Sequence, residues 1–330
     1  MSFKLPFWSP SQAEAIIFDW DGVIAETKLD FSGLREKYYD TRRAMLLEDA
    51  WRLTPDRHAA LMSELEGIEI GGAMNAAPVP GIMDVIHWTE ENGIPWAVVS
   101  RNCRKSILIA ARVISIKLPD IVRSRDDGDC VKPDPRALAE TCAALGADVA
   151  QTLLIGDYIY DMIGARRAGM RGVLVREKTA ADWDEWLECV YGSMDELQRE
   201  LDEPGEITPW EYLELVQRHG RDFLRSTVEI TARVPDCEKT QINVWLATAA
   251  SFGVGAFAAP DVVLSPRAWK KNRQFDPRFM GAPLSDAIRD FLRTRFPLVS
   301  VVPDDAPAID LPSDPNQIEN FLLSMAKLDG

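Results

Sequence analysis

Histidine and cysteine are scarce in this 330-residue chain, with three of the former and five of the latter. The cysteines (Cys103, Cys130, Cys142, Cys189 and Cys237) are odd in number and include no CxxC pair. That excludes a disulfide framework and a cysteine-built zinc site, and fits a reducing compartment. His58, His87 and His219 stand alone on helical patterns, none at ligand spacing from a cysteine or carboxylate, and read as structural or surface residues. No apolar run approaches the roughly 20 residues that span a bilayer. The opening "MSFKLPFWSPSQ" has aromatics but not the sustained apolar stretch of a secretory leader, so a cytoplasmic protein is expected. Basic residues are also short: 37 Lys and Arg face 52 Asp and Glu, for a net charge of -15. That balance argues against non-specific nucleic-acid binding and against docking on anionic membranes. Most of the acidity is N-terminal, because residues 205–330 hold 14 basic and 17 acidic side chains and residues 1–204 carry the remaining -12.

The length predicts two domains, or one with additions, and a hydrophobic content of 46% is ample for a core. Four short, unalternated apolar runs read as buried parallel strands: "AIIF" (15–18), "WAVV" (96–99), "TLLI" (152–155) and "GVLV" (172–175). Helical patterns lie among them at 81–93, 134–146 and 160–170, each closed by glycine. Strands alternating with such helices predict an α/β fold with a doubly wound parallel sheet. A helical insertion at 26–78 reads as a small cap, with amphipathic helices over "FSGLREKYYDTRRAMLLEDAWRL" and "DRHAALMSELEGIEI" closed by a loop "GGAMNAAPVPG". The expected domains are a core of 1–25 and 79–204, the cap of 26–78, and a C-terminal domain of 205–330, α+β or mostly helical. In that last region "STVEITARV" and "PLVSVV" read as strands, and "CEKTQINVWLATAASFGVGAFA" as a buried helix breaking at Gly253 or Gly255. The basic segment 265–278 reads as a lysine-rich surface loop, with an anionic ligand or acidic partner as the alternative.

Why does the first strand, "AIIF", run into two carboxylates in "DWDG"? A strand ending in a turn accounts for it, since Asp and Gly are good turn residues. Yet every predicted strand ends on a polar group. "WAVV" meets Ser100, "TLLI" meets Gly156 and Asp157 with Asp161 a turn later, and Lys132 precedes a helix start. In an open parallel sheet these groups gather at one rim. Their types suit phosphoryl transfer to an aspartate, in which a carboxylate attacks phosphorus and splits one hydrolysis into two displacements. Nucleophile and phosphate are both anionic, so a hard cation such as Mg²⁺ belongs between them, held by Asp19 and Asp157. Asp21 is placed to protonate the leaving oxygen and then to activate water. Ser100 and Lys132 would ground the phosphate oxygens.

In this order and spacing "DWDGV", "VVSRN", "KPDP" and "GDYIYD" resemble the four motifs of the haloacid dehalogenase superfamily, over roughly residues 13–200. They are most similar to its phosphoglycolate-phosphatase-like branch, which has a helical cap after the first motif. The resemblance implies a magnesium-dependent phosphatase acting on a small phosphorylated metabolite through an aspartyl-phosphate. It implies Asp19 as nucleophile and Asp21 as general acid and base. Mg²⁺ would be held by Asp19, the main-chain carbonyl of Asp21, and Asp157. Ser100, Asn102 and Lys132 would bind phosphate, with Gly22, Gly156 and Asp161 supporting. Tyr158 stands where many relatives carry serine or threonine, and "AET" replaces the commoner pairing after the first motif. Arg35, Arg42, Arg43 and Arg52 of the cap are candidates to clamp a second substrate anion, against a plain solvated helix face. Two alternatives stay open: a phosphomutase of the same superfamily, and a ligand-sensing protein acting through residues 205–330. A homodimer or a partner protein docked on that region is equally open.

Overall fold

The computed structural model describes residues 2–41 and 44–326. The chain opens with β1 (Ala15–Phe18), a short β2 (Ala25–Glu26), α1 (Ser32–Tyr39), α2 (Pro55–Ala73) and β3 (Ala77–Pro78). It continues through α3 (Ile82–Glu91), β4 (Trp96–Val99), α4 (Arg104–Val113), β5 (Val122–Arg123) and α5 (Pro135–Leu145). Then come β6 (Thr152–Gly156), α6 (Ile159–Ala168), β7 (Arg171–Val175), β8 (Val190–Tyr191) and α7 (Met194–Asp202). The six-stranded sheet has the order β5-β4-β1-β6-β7-β8, and every neighbouring pair is parallel. All four apolar runs read from the sequence are strands of this sheet.

Alternation along the strands divides the core between the two faces. Ile16, Phe18, Leu153, Ile155 and Val173 pack with Val85 of α3, Ile107 of α4 and Leu197 of α7. Ile17, Val99 and Leu154 point the other way, onto Leu138 of α5 and Ala165 of α6. Both faces are covered, so the strands have no polar side and carry no alternation of hydrophobicity. The chain moves from β1 out to β4 and β5, then returns to lay β6 on the other side of β1. Crevices above such a reversal, at the carboxyl ends of the strands, are where open α/β sheets bind ligands.

β2 and β3 pair antiparallel and form the stem of the helical insertion. Leu34 and Tyr38 of α1 bury against Leu61 and Leu65 of α2. Two expectations are corrected here. The first helix ends at Tyr39, because Asp40 turns left-handed (φ 53°), a conformation Asp tolerates better than most residues. The second runs past Gly71 and Gly72 to Ala73, so that part of the expected closing loop is helix. Gly72 is required there, since a Cβ would lie 2.7 Å from the Thr27 carbonyl oxygen.

The C-terminal region contains α8 (Leu213–His219), α9 (Arg221–Val228), β9 (Thr231–Arg233), α10 (Ile242–Ser251), β10 (Ala256–Ala259), α11 (Pro266–Lys271), α12 (Leu284–Arg293), β11 (Ser300–Pro303) and α13 (Ile318–Ala326). β10 lies between β9 and β11, parallel to both. "STVEITARV" is helix as far as Val228, with only Thr231–Arg233 in a strand. The hydroxyls of Ser226 and Thr227 bond back to the Phe223 carbonyl and keep the turn helical. α10 ends at Ser251, just before Gly253 at φ 87°, one of the two break points expected, and the residues beyond the break form β10. The basic segment is not a plain loop. Asn272 is fully buried and donates to the carbonyls of Cys237 and Ala268, pinning α11 in place. All five cysteines are free and buried. Among the described residues no helix is long and apolar enough to cross a membrane.

Candidate active site

Asp19 follows β1, Ser100 follows β4 and Asp157 follows β6, so the strands deliver these side chains to one rim of the sheet. Lys132 reaches the same point from the loop before α5. Its side chain is fully buried and its Nζ lies 2.7 Å from an oxygen of Asp19 and 2.7 Å from one of Asp161. Burial works against the ammonium charge, but Asp161 and Asp19 hold its pKa above the ordinary lysine value. The other Asp161 oxygen accepts from the Tyr158 amide at 3.1 Å, which ties the first turn of α6 to the lysine.

Asp19 is fixed at both ends. Its amide donates to the Ile155 carbonyl at 2.9 Å, and its Oδ1 accepts from the Trp20 amide at 2.7 Å. Burial pushes its carboxyl up to about 7, against the pull of Lys132. Asp21 accepts a hydrogen bond from the buried Thr27 hydroxyl, so the threonine of the unusual "AET" orients the second aspartate. Burial raises the Asp21 pKa, and the Thr27 bond opposes that rise. Between the two aspartates and Asp157 sits Gly22, left-handed at φ 75°, where any Cβ would run into the Asp157 carboxylate. A side chain at Gly156 would likewise collide with Asp161.

Asp19, Asp157 and Asp161 bring carboxylate oxygens within 4.8 Å of one another. Lys132 answers two of them. Asp157 faces Arg176 only at 3.9 Å, and its carboxyl is pushed up to about 8, chiefly by burial and then by Asp19 and Asp161. Crowded, buried carboxylates short of positive charge are a donor set for a hard divalent cation, with Asp19 and Asp157 as the available ligands.

Ser100 and Asn102 are buried on the loop after β4, and the Ser100 hydroxyl accepts from the Asn102 amide at 3.1 Å. Residues that the sequence reading passed over hold this loop. Glu69 of α2, buried, is bonded through both oxygens to Arg125, and its Oε2 also accepts from the Cys103 amide at 2.9 Å. Arg101 donates to Glu48 at 2.6 and 3.1 Å, bonds the Lys132 carbonyl, and lies over the Tyr160 ring. A signal for Glu69 existed: the buried stripe of α2 is Leu61, Leu65, Glu69 and Ala73, a carboxylate at core spacing.

A cavity of about 540 Å³ opens over Asp19, Asp21 and Asp157, walled on its far side by residues 26–31, Arg35 and residues 45–47. Arg35 lines it, donating through Nε to the Ala44 carbonyl at 3.2 Å. Arg52 does not: it is exposed, paired to Asp49 at 3.3 Å. Arg42 and Arg43 lie outside the described residues. His219 pairs with Glu319 at 3.1 Å in the C-terminal region.

Comparison with known proteins adds identity to this geometry. The family described as haloacid dehalogenase-like hydrolase matches residues 54–175, a span holding Ser100, Lys132, Asp157 and Asp161. A phosphoglycolate phosphatase of Caulobacter vibrioides is 28% identical over 184 residues, covering 48% of this chain and 78% of its own. Phosphoglycolate phosphatase 1 of Pseudomonas aeruginosa is 30% identical over 199 residues, covering 52% of this chain and 72% of its own. An N-acetylmuramic acid 6-phosphate phosphatase of Pseudomonas putida is 25% identical over 189 residues, covering 49% and 82%.

Proposed function

The chain belongs to the haloacid dehalogenase-like hydrolases, and on that premise we propose that it is a Mg²⁺-dependent phosphatase of a small phosphorylated metabolite, working through an aspartyl-phosphate on Asp19. One observation carries the reading: a fully buried lysine lies 2.7 Å from both Asp19 and Asp161, and Asp19 lines a cavity together with Asp157. A structural ion pair has no need of a third carboxylate, the half-buried Asp157, beside it. In this reading 26–78 is the cap and 205–330 an accessory region.

Asp19 and Asp157, with the Asp21 carbonyl, would hold Mg²⁺, which supplies charge neutralisation between nucleophile and phosphate. The chain's own residues perform the steps. Lys132, Ser100 and Asn102 draw the phosphate oxygens toward the loops after β4 and β5. A carboxylate oxygen of Asp19 attacks phosphorus while the bond to the leaving oxygen breaks. Asp21, its pKa raised by burial and its carboxyl oriented by Thr27, carries the proton that the leaving oxygen takes. Water then attacks the phosphorus of the acyl phosphate, Asp21 accepts its proton, and Asp19 leaves as a free carboxylate. The books close on alcohol, inorganic phosphate and the starting enzyme.

The test is phosphate release from a panel of phosphorylated metabolites, with Mg²⁺ and with excess chelator, for wild type and Asp19→Asn. Release that needs the metal and disappears in the variant supports the reading. Release that persists in Asp19→Asn removes Asp19 as nucleophile, and no release from any compound returns weight to a ligand-sensing role.

A further inference from the structure

We propose that the substrate is a phosphomonoester with a ring-bearing leaving group, received by an aromatic wall built from Tyr158 and Tyr160; this rests on the phosphatase reading above. The first observation is size. About 540 Å³ lies inside the range of roughly 300–1,000 Å³ that encloses organic ligands well beyond a two-carbon acid. The second is the character of the walls. Opposite the carboxylates, Leu29, Phe31, Leu46 and Leu65 offer a leaving group apolar contact among the charged side chains of Lys28, Asp30 and Arg35.

The third observation is the placement of the tyrosines. Tyr158 caps α6 and Tyr160 lies in its first turn, directly after Asp157, and both line the cavity with Asp19 and Asp157. Their centroids are 5.1 Å apart and edge-on, and Tyr158 packs edge-on against Trp183 at the same distance. Arg101 covers the Tyr160 ring at 4.6 Å, and the carbonyl of Asp157 is held by Arg176 at 3.0 Å. The wall is therefore braced from behind. Tyr158 is 42% exposed, unusual for a large ring fixed by two aromatic neighbours. Its exposed ring is a surface on which a sugar or aryl ring can rest.

The experiment compares kcat and KM for phosphoglycolate, a hexose 6-phosphate and p-nitrophenyl phosphate, using the full chain with Mg²⁺. The ring-bearing esters are expected to exceed phosphoglycolate in kcat/KM by about tenfold. Tyr158→Ala should raise KM for the ring-bearing esters about fivefold more than for phosphoglycolate, and Tyr158→Phe should restore it. A preference for phosphoglycolate, or a loss that is equal for all three esters, overturns the inference. Hydrolysis abolished by Asp19→Asn but without ring preference sinks this inference alone. Failure of wild type to hydrolyse any ester sinks the phosphatase reading with it.

Discussion

Arg171 and Glu211 meet through two parallel hydrogen bonds, of 2.8 and 2.6 Å, with both side chains fully buried. Arg171 begins β7, at the end of the strand remote from Asp157, whereas Glu211 belongs to the turn that leads into α8. The C-terminal region thus grips the sheet at the pole opposite the candidate site. Phe7, from the N-terminal segment, is part of the C-terminal core, and Trp8 pairs with Ile207.

Truncation after residue 204 should therefore fail as a way of isolating the chemistry. It would strip Arg171 of its bidentate partner, and breaking such a buried pair costs about 3–5 kcal/mol. The 1–204 fragment is expected to melt far below the full chain or not to fold. Glu211→Gln in the full chain should lower the urea midpoint while leaving KM unchanged, because the junction is remote from Asp19. A fragment that melts with the full chain would show that the junction adds nothing.

Glu188 gives the same junction a pH dependence. It lies 3.4 Å from Arg171 and accepts from the Trp210 amide, with Glu211 and Arg166 as its other charged neighbours. Burial pushes its carboxyl up to about 7, Arg171 pulling the other way. An acid whose pKa is raised by folding is held in its protonated form, so its contribution to stability is full below the unfolded value and is lost as pH rises through the folded one. Thermal melts with Mg²⁺ in excess should show wild type losing stability from pH 5 to 8 more steeply than Glu188→Gln. Parallel profiles for the two proteins would refute the assignment.

The core of this fold is written plainly in the chain, and the reason is physical. A strand buried on both faces must be apolar throughout, so "AIIF" and "TLLI" announce themselves, and the polar residue that ends each run marks the rim. The C-terminal strands are harder to read because they are short and small-sided: "AFAA" has no branched residue, and its strand character comes from pairing with β9 and β11. Glu69, Glu48 and Arg101 act through partners 53 and 56 residues away, at separations that no local pattern encodes. Lys132 was visible from its proline-rich context, but its contact with Asp161 was not.

Gly22→Ala tests the geometry of the site with the smallest possible change. The left-handed backbone costs an alanine about 1–2 kcal/mol, a modest loss for the fold. The added methyl group falls on the Asp157 carboxylate, however, and must displace it. A misplacement of that order is expected to lower kcat about a hundredfold, with a melting temperature only slightly reduced. Wild-type turnover in a folded Gly22→Ala protein would show that Asp157 does not need its observed position.

The bond between Glu69 and Arg125 makes a prediction that separates positioning from mere stability. Through it, α2 of the insertion holds the Cys103 amide, and Arg125 also donates to the Arg101 carbonyl at 3.1 Å. The clamp thereby sets the loop that carries Ser100 and Asn102. Glu69→Gln keeps the size and one acceptor but removes the charge that orients the guanidinium. If the loop binds phosphate, the variant should raise KM and weaken inhibition by inorganic phosphate by a similar factor, about tenfold for the loss of one charge-assisted bond, while kcat changes less. Arg125→Lys, which cannot span both carboxylate oxygens, should behave alike. Loss of melting temperature with KM and phosphate inhibition unaltered would reduce the clamp to a structural tie. A matched rise in both constants would place the insertion in direct control of phosphate affinity, because the carboxylate that moved belongs to α2 and not to the sheet.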